Sequence, residues 1–472
     1  MPQRDNSMVQ RATAIAVLVG WGGLLFANEI ELSQRVDDVF ADLDRTDSPG
    51  CAVGVIQDGR MIHRRGYGMA SLELGVPNSP RLVYYAGSVS KQFVAASIVL
   101  AAQQGKLGLD DDIRKHVSEI PDYGDKITIR HLVHHTSGLR DYLRLMHLAG
   151  MRAEDVHSPT ETLDLIARQV GLNFKPGDEY LYSNSGYFLL SEIIRRATRQ
   201  SLREFARINI FEPLGMIHSH FHDDRKMIVP SRAAAYSRSG PGAFELNWFL
   251  NFEQVGSGGL MTTIEDLALW DSNFYDNQLG AGFLEQMHEK GKLNDGTEID
   301  YAFGLMVQKY RGVDMVAHGG AMMGFRSNFL QVPDARFSVL ALCNLAQAAP
   351  GKRSVEVAEI YLGDRLGDKP AEPAPKGPDS DARRSAWKPS TEMLERLGGD
   401  YRSEELAVTY RFERRADSLR FNGIGAITPA SLKPVAPNSF SASGLEFVFA
   451  ADGESFELRG GRVRNIRFVR LR

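Results

Sequence analysis

Strand-like sequence stands near both ends of the first 365 residues, with helical sequence between. Few folds satisfy that order. Early on, "GCAVGVIQDGRMIHRRGYGMA" (50–70) holds two apolar runs around Asp58-Gly59. Asp-Gly between such runs signals a two-residue hairpin, because both turn positions need positive φ. From 301 the strands return as "YAFGLMVQKY", "VDMVAHGG", "SNFLQVP" and "FSVLALCNL". Between them "KQFVAASIVLAAQQGKLGL" reads as a helix closed by Gly105, and about 110–285 alternates helices with Gly-, Pro- and Asn-rich loops. Strands that far apart bury their apolar faces most simply in one mixed sheet made from the two ends of the chain, with helices around it. An amphipathic helix over 30–43 (Ile30, Val36, Val39, Phe40, Leu43) precedes the sheet, and a last helix over about 353–364 follows it.

The flanks differ from this unit. Arg4 and Arg11 precede the apolar run "ATAIAVLVGWGGLLFA" (12–27). A basic start and a short apolar run read as a secretory signal over 1–28, which places the rest in the periplasm or outside the cell. An uncleaved anchor, which would keep the protein at the membrane, is the second reading. Residues 366–394 carry Pro370, Pro373, Pro375 and Pro378 among charges and read as a linker. From 395 to 472 short alternating runs with Gly and Asp turns suggest a small antiparallel barrel or sandwich. The two cysteines, Cys51 and Cys343, sit in apolar strand-like runs and read as buried free thiols. A net charge of −4 and a pI of about 6.3 argue against a nucleic-acid partner, which would need a basic face.

The chemistry begins at "AGSVSKQF", where Ser88 and Lys91 lie three residues apart at a helix start. Residues at that spacing share a helix face. A serine becomes a nucleophile when a base takes its proton, and a buried lysine can be that base. Free N–H groups at the helix start can hold the resulting oxyanion. The spacing recurs at Ser385–Lys388, so the pattern alone is weak. Two further motifs strengthen it. "YLYSNSGYFLL" offers Tyr182 to carry protons and Asn184 to bond a substrate amide. "VAHGGAMMGF" offers His318, to orient the phenol or bind a carboxylate, on a strand. Gly319 and Gly320 would let substrate lie close against that strand, and the N–H of Ala321 would be a second oxyanion donor.

With these motifs the chain resembles the serine β-lactamase and penicillin-binding-protein family, in the branch with class C β-lactamases, D-alanyl-D-alanine carboxypeptidases, D-aminopeptidases and esterases. The resemblance covers about 33–364 and includes "ITIRHLVHHTSGLRDY", "FKPGDEYLYSNSGY", "FEPLGM" and "VGSGGLMTTIEDLALW". It implies an α+β fold, a β-lactamase-like antiparallel sheet flanked by helices, over 29–365. The C-terminal stretch is similar to lipocalin-like barrels appended to such hydrolases. The resemblance also implies Ser88 as the acylated nucleophile, Lys91 and Tyr182 sharing acid–base work, and His318 in the third-motif position. Where class C enzymes carry Lys-Thr-Gly this chain has His318-Gly319-Gly320, which favours the peptidases over efficient β-lactam hydrolysis. The expected substrate is a small peptide or amide with a D-residue, then an ester, then a β-lactam. A binding protein that keeps the fold is the reading of another class. No cofactor is implied. His131, His134 and His135, and the tract His218, His220, His222, have metal-like spacings but read as structural. Gly256, Gly258 and Gly259 read as a loop beside the cleft.

Overall fold

The computed structural model describes residues 29–152, 154–247, 251–369 and 387–472. The apolar run of the leader reading and most of the Pro-rich stretch therefore lie outside the described residues.

Six strands form the central sheet: β1 (Cys51–Gln57), β2 (Arg60–Tyr67), β3 (Met306–Tyr310), β4 (Val313–Met322), β5 (Phe325–Val332) and β6 (Phe337–Cys343). Their order is β3-β4-β5-β6-β1-β2, so the two ends of the hydrolase unit do meet in one sheet. Every pairing is antiparallel, as the resemblance implies, and none is mixed. Asp58 (φ 51°) and Gly59 (φ 76°) make the β1–β2 turn, both in the left-handed region that hairpin twist demands. Side chains of β1 alternate between two apolar layers. Cys51, Val53 and Val55 pack with Val36 and Phe40 of α1 (29–40). Ala52 and Ile56 face the larger layer, with Phe93 of α2 (Ser90–Gln103) and Trp270 of α4 (Ile264–Asp276). Helix α3 (Asn184–Thr198) lies in that second layer, and α5 (Pro350–Leu362) returns to the first.

One sequence reading is corrected here. Cys51 and Cys343 are joined by a disulfide. The β1–β6 register sets them directly opposite each other, with Cα atoms 3.9 Å apart. Two separate apolar runs do not reveal that register, which exists only once the strand order is known.

A short helix, α6 (Thr391–Leu397), leads into nine antiparallel strands between Gly399 and Arg470. The end strands of that sheet, Ala430–Ser431 and Lys433–Ala436, are separated in the chain by Leu432 alone, so the sheet nearly closes on itself. Tyr401, Tyr410, Phe412, Phe456 and Phe468 fill its interior with ring-to-ring contacts. The barrel is docked on the hydrolase unit by buried polar contacts. Arg140 pairs with Glu405 and donates to the carbonyls of Arg464 and Asn465 at 3.0 and 2.8 Å. The Tyr410 hydroxyl donates to the Leu148 carbonyl at 2.7 Å.

Candidate active site

Ser88 sits in a single 3-10 turn, Gly87–Val89, that runs straight into α2. The turn is pressed against the edge of β4. Gly87 has φ 53°, and a Cβ there would stand 2.6 Å from the Ala321 nitrogen. A Cβ on Gly320 would stand 2.1 Å from the Ala86 oxygen and 3.0 Å from the Ser88 nitrogen. Glycine is therefore required on both sides of this contact. The close approach that Gly320 permits is to the chain's own Ser88 turn. Gly319 is the roomier position, since its Cβ would meet nothing nearer than 3.7 Å. The contact gathers the amides of Ser88 and Ala321 beside the serine. β3 pairs with β4 only from Val313 to Ala317, so the β4 edge beyond Ala317 is free of that ladder.

Helix α2 is buried from Ser90 through Ala101, so Lys91, the second residue of the helix, has no exposed surface. Its Nζ donates to Asn184 Oδ1 at 3.0 Å and to the Ser257 carbonyl at 2.6 Å, and lies 3.2 Å from Ser88 Oγ. Burial holds the lysine well below its ordinary pKa; the Asp141 carboxylate opposes this and Arg462 adds to it. A neutral amine has two N–H bonds and one lone pair. With both hydrogens on Asn184 and Ser257, the lone pair faces the Ser88 hydroxyl.

Asn184, read from sequence as a donor to substrate, is otherwise engaged. Its Oδ1 holds Lys91 and its Nδ2 donates to Asp141 Oδ2 at 2.8 Å. Asp141 explains the placement. Its Oδ2 accepts the Asn184 amide at the start of α3, and its Oδ1 accepts the Arg144 amide in the helix Tyr142–Leu148. One carboxylate caps two helices and fixes the group that fixes the lysine.

Tyr182 stands over Lys91, with Nζ 4.8 Å from the ring centroid. Burial raises its phenol above the ordinary value, while the Ser88 hydroxyl and Arg462 pull it back. His135 packs on the same ring at 4.2 Å between centroids. Its Nδ1 accepts the Ser183 amide at 3.1 Å, and its own backbone is left-handed, φ 59°. His318 orients a phenol, though that of Tyr301. Its Nδ1 is 2.7 Å from the Gly319 carbonyl, a contact only a donor satisfies, so Nε2 accepts from the Tyr301 hydroxyl at 3.0 Å. Burial above all pushes His318 down to about 3, which keeps it neutral.

Ser88, Tyr182, Asn184 and His318 line a cleft of about 550 Å³ whose walls also include Tyr85, Tyr142, Phe252, Gly258 and Asn328. The glycine-rich loop borders it as expected. Arg462, from the barrel, also lines it, 4.5 Å over the Tyr182 ring. Sequence reasoning did not single out Asp141, Ser257, Tyr301 or Arg462, and it weighed His135 only as a metal-spaced histidine that reads as structural. The other histidines lie elsewhere: His131 completes a capping box with Thr128, and His220 faces His222 at 3.4 Å. Among the described residues no group of three or more His, Cys, Asp or Glu is arranged to hold a metal ion.

The chain is 29% identical to a D-aminopeptidase of Gluconobacter oxydans over 425 residues, 87% of this chain and 75% of that one. It is 28% identical to a D-aminopeptidase of Brucella anthropi, covering 64% of this chain and 57% of the relative's length. The octameric penicillin-binding protein homologue of Pyrococcus abyssi superposes with a TM-score of 0.62 at 22% identity, over 93% of this chain and 99% of its own. The beta-lactamase family model matches residues 36–361, well over half of the chain, and the protein belongs to that family.

Proposed function

We propose that the protein is a serine hydrolase that forms an acyl-enzyme on Ser88 and cleaves amide or peptide bonds beside D-amino-acid residues. The observation that carries the reading is the buried Lys91, whose hydrogens are committed to Asn184 and Ser257 and whose remaining hydrogen-bond contact is Ser88. The pKa directions assign the roles. The lysine is pushed toward its free base and Tyr182 toward its protonated form. Lys91 takes the Ser88 proton as Oγ bonds to the carbonyl carbon. The amides of Ser88 and Ala321 hold the oxyanion. Tyr182 relays the proton to the leaving nitrogen as the C–N bond breaks. Water then attacks the acyl carbon, gives its proton to the same pair, and the acid leaves as Ser88 regains its hydrogen.

The D-residue preference is supported by the similarity to D-aminopeptidases. An ester carbonyl would pass through the same steps. Work outside the cytoplasm is supported by the basic-then-apolar start of the chain and by the Cys51–Cys343 disulfide, since such bonds persist in oxidising compartments. The test is intact-protein mass after brief exposure to a D-alanyl amide, a short acyl ester and a penicillin, with product release followed in parallel. The expected result is turnover or an acyl adduct in the parent and neither in a folded Ser88→Ala variant. Equal turnover by that variant would remove Ser88 from the mechanism.

A further inference from the structure

Among the described residues that line the cleft, two are cationic, Arg326 and Arg462, and none is an aspartate or glutamate. Asp141 lies behind the wall. It is 2% exposed, and both of its oxygens already accept hydrogen bonds from Arg144 and Asn184. Arg462 reaches it only at 3.7 Å, and the arginine side chain stays 45% exposed. The guanidinium is thus steered by Asp141 but still open to a ligand. Its position is set by the backbone, because its carbonyl accepts from Asn173 Nδ2 at 2.9 Å. Arg326 donates to the carbonyls of Met323 and Phe325, and among the described residues no carboxylate forms an ion pair with it.

We propose that the cleft selects substrate by charge, with Arg462 of the barrel binding a carboxylate on the leaving-group side of the scissile bond and the cationic wall rejecting a free substrate ammonium. The inference rests on the Ser88 acyl-enzyme reading. Arg462 lies over the ring of Tyr182, the residue assigned to protonate the leaving group, so an anion just beyond the scissile bond meets its guanidinium. A partly exposed charge-assisted contact of this kind is worth about a 10- to 100-fold preference. Two of the relatives the chain resembles are named for aminopeptidase activity; a cleft wall with no acidic residue among the described ones offers an ammonium no counter-charge.

The experiment compares kcat/KM of the full-length protein for N-acetyl-D-Ala-D-Ala, its C-terminal amide, and unacetylated D-Ala-D-Ala amide. A second pair, 3-carboxyphenyl acetate and 3-carbamoylphenyl acetate, places the same charge on a leaving group that carries no D-residue. The expected result is at least a tenfold preference for the carboxylate in both pairs and the slowest turnover for the free amine. Arg462→Gln should abolish the preference with the neutral members changed least, and Arg462→Lys should restore most of it. A preference seen only with the esters would sink the D-residue reading while charge selection stands. Equal rates within both pairs, faster turnover of the free amine, or an unchanged ratio in a folded Arg462→Gln would overturn the proposal. No turnover of any member would overturn it together with the reading beneath it.

Discussion

Lys91 shows at one residue how function opposes stability. Its pKa in the folded chain lies well below the ordinary lysine value of 10.5. Between those two values the unfolded chain binds one proton more than the folded one, so stability rises with pH. The contribution is about 1.4 kcal/mol per pH unit in that interval and vanishes above 10.5. Denaturant melts of the parent and Lys91→Met across that range should show the parent gaining on the variant at about this slope. A flat difference would mean that Lys91 keeps its proton in the fold. Activity should fall on the acid side as Lys91 protonates. His318, at about 3, should contribute no limb in the same range. The residues read correctly from sequence as neighbours were those with a short spacing or a helix, loop or strand context: Ser88, Lys91, Tyr182 and His318. Asp141 and Ser257 carry no such mark. One acts by capping helices and the other through a backbone carbonyl, and neither role depends on a pattern. Tyr301 and His135 reach the site only because distant segments fold onto it.

Between elements, the meeting of the Ser88 turn and β4 decides whether the proposed oxyanion donors, the amides of Ser88 and Ala321, stand together. The two adjacent glycines of β4 are unequal there. A methyl at Gly320 collides with the Ala86 carbonyl and Ser327 Oγ, at 2.1 and 2.2 Å, whereas one at Gly319 finds ordinary contact distances. Gly320→Ala should therefore push the strand off the turn and cost on the order of 100-fold in acylation rate, the effect of about 1 Å of misplacement. Gly319→Ala should keep the parent's melting temperature and acylate within about tenfold of its rate. Burst kinetics with a small ester read both, and equal effects would show that the turn does not bear on Gly320. The strand-at-both-ends pattern foretold the sheet, because hairpin chemistry and alternation are local signals. It could not foretell the antiparallel order throughout, or the Cys51–Cys343 contact, since register arises only when the strands are side by side.

Across the whole molecule, the barrel is tied to the catalytic unit next to the residue that organises the site. Arg140, buried against Glu405, precedes Asp141 in the chain. Removing one partner of a buried pair leaves the other charge unmatched and costs about 3–5 kcal/mol, whereas replacing both with apolar side chains is often near neutral. Glu405→Leu should lower stability by that amount, and Arg140→Met with Glu405→Leu should recover much of it. A double-mutant cycle by chemical denaturation checks this, and additive losses would show that the pair is not coupled.

The Cys51–Cys343 bond closes a span of 292 residues. Every catalytic candidate from Ser88 to Ala321 lies inside that span, and Arg462 lies outside it. A protease that severs one surface loop within the span leaves a nicked chain whose two pieces remain one molecule. A cut between 366 and 394 instead leaves the barrel held by its docking contacts alone. If the barrel then came away, Arg462 would leave with it while Ser88 and Lys91 stayed in the disulfide-closed span.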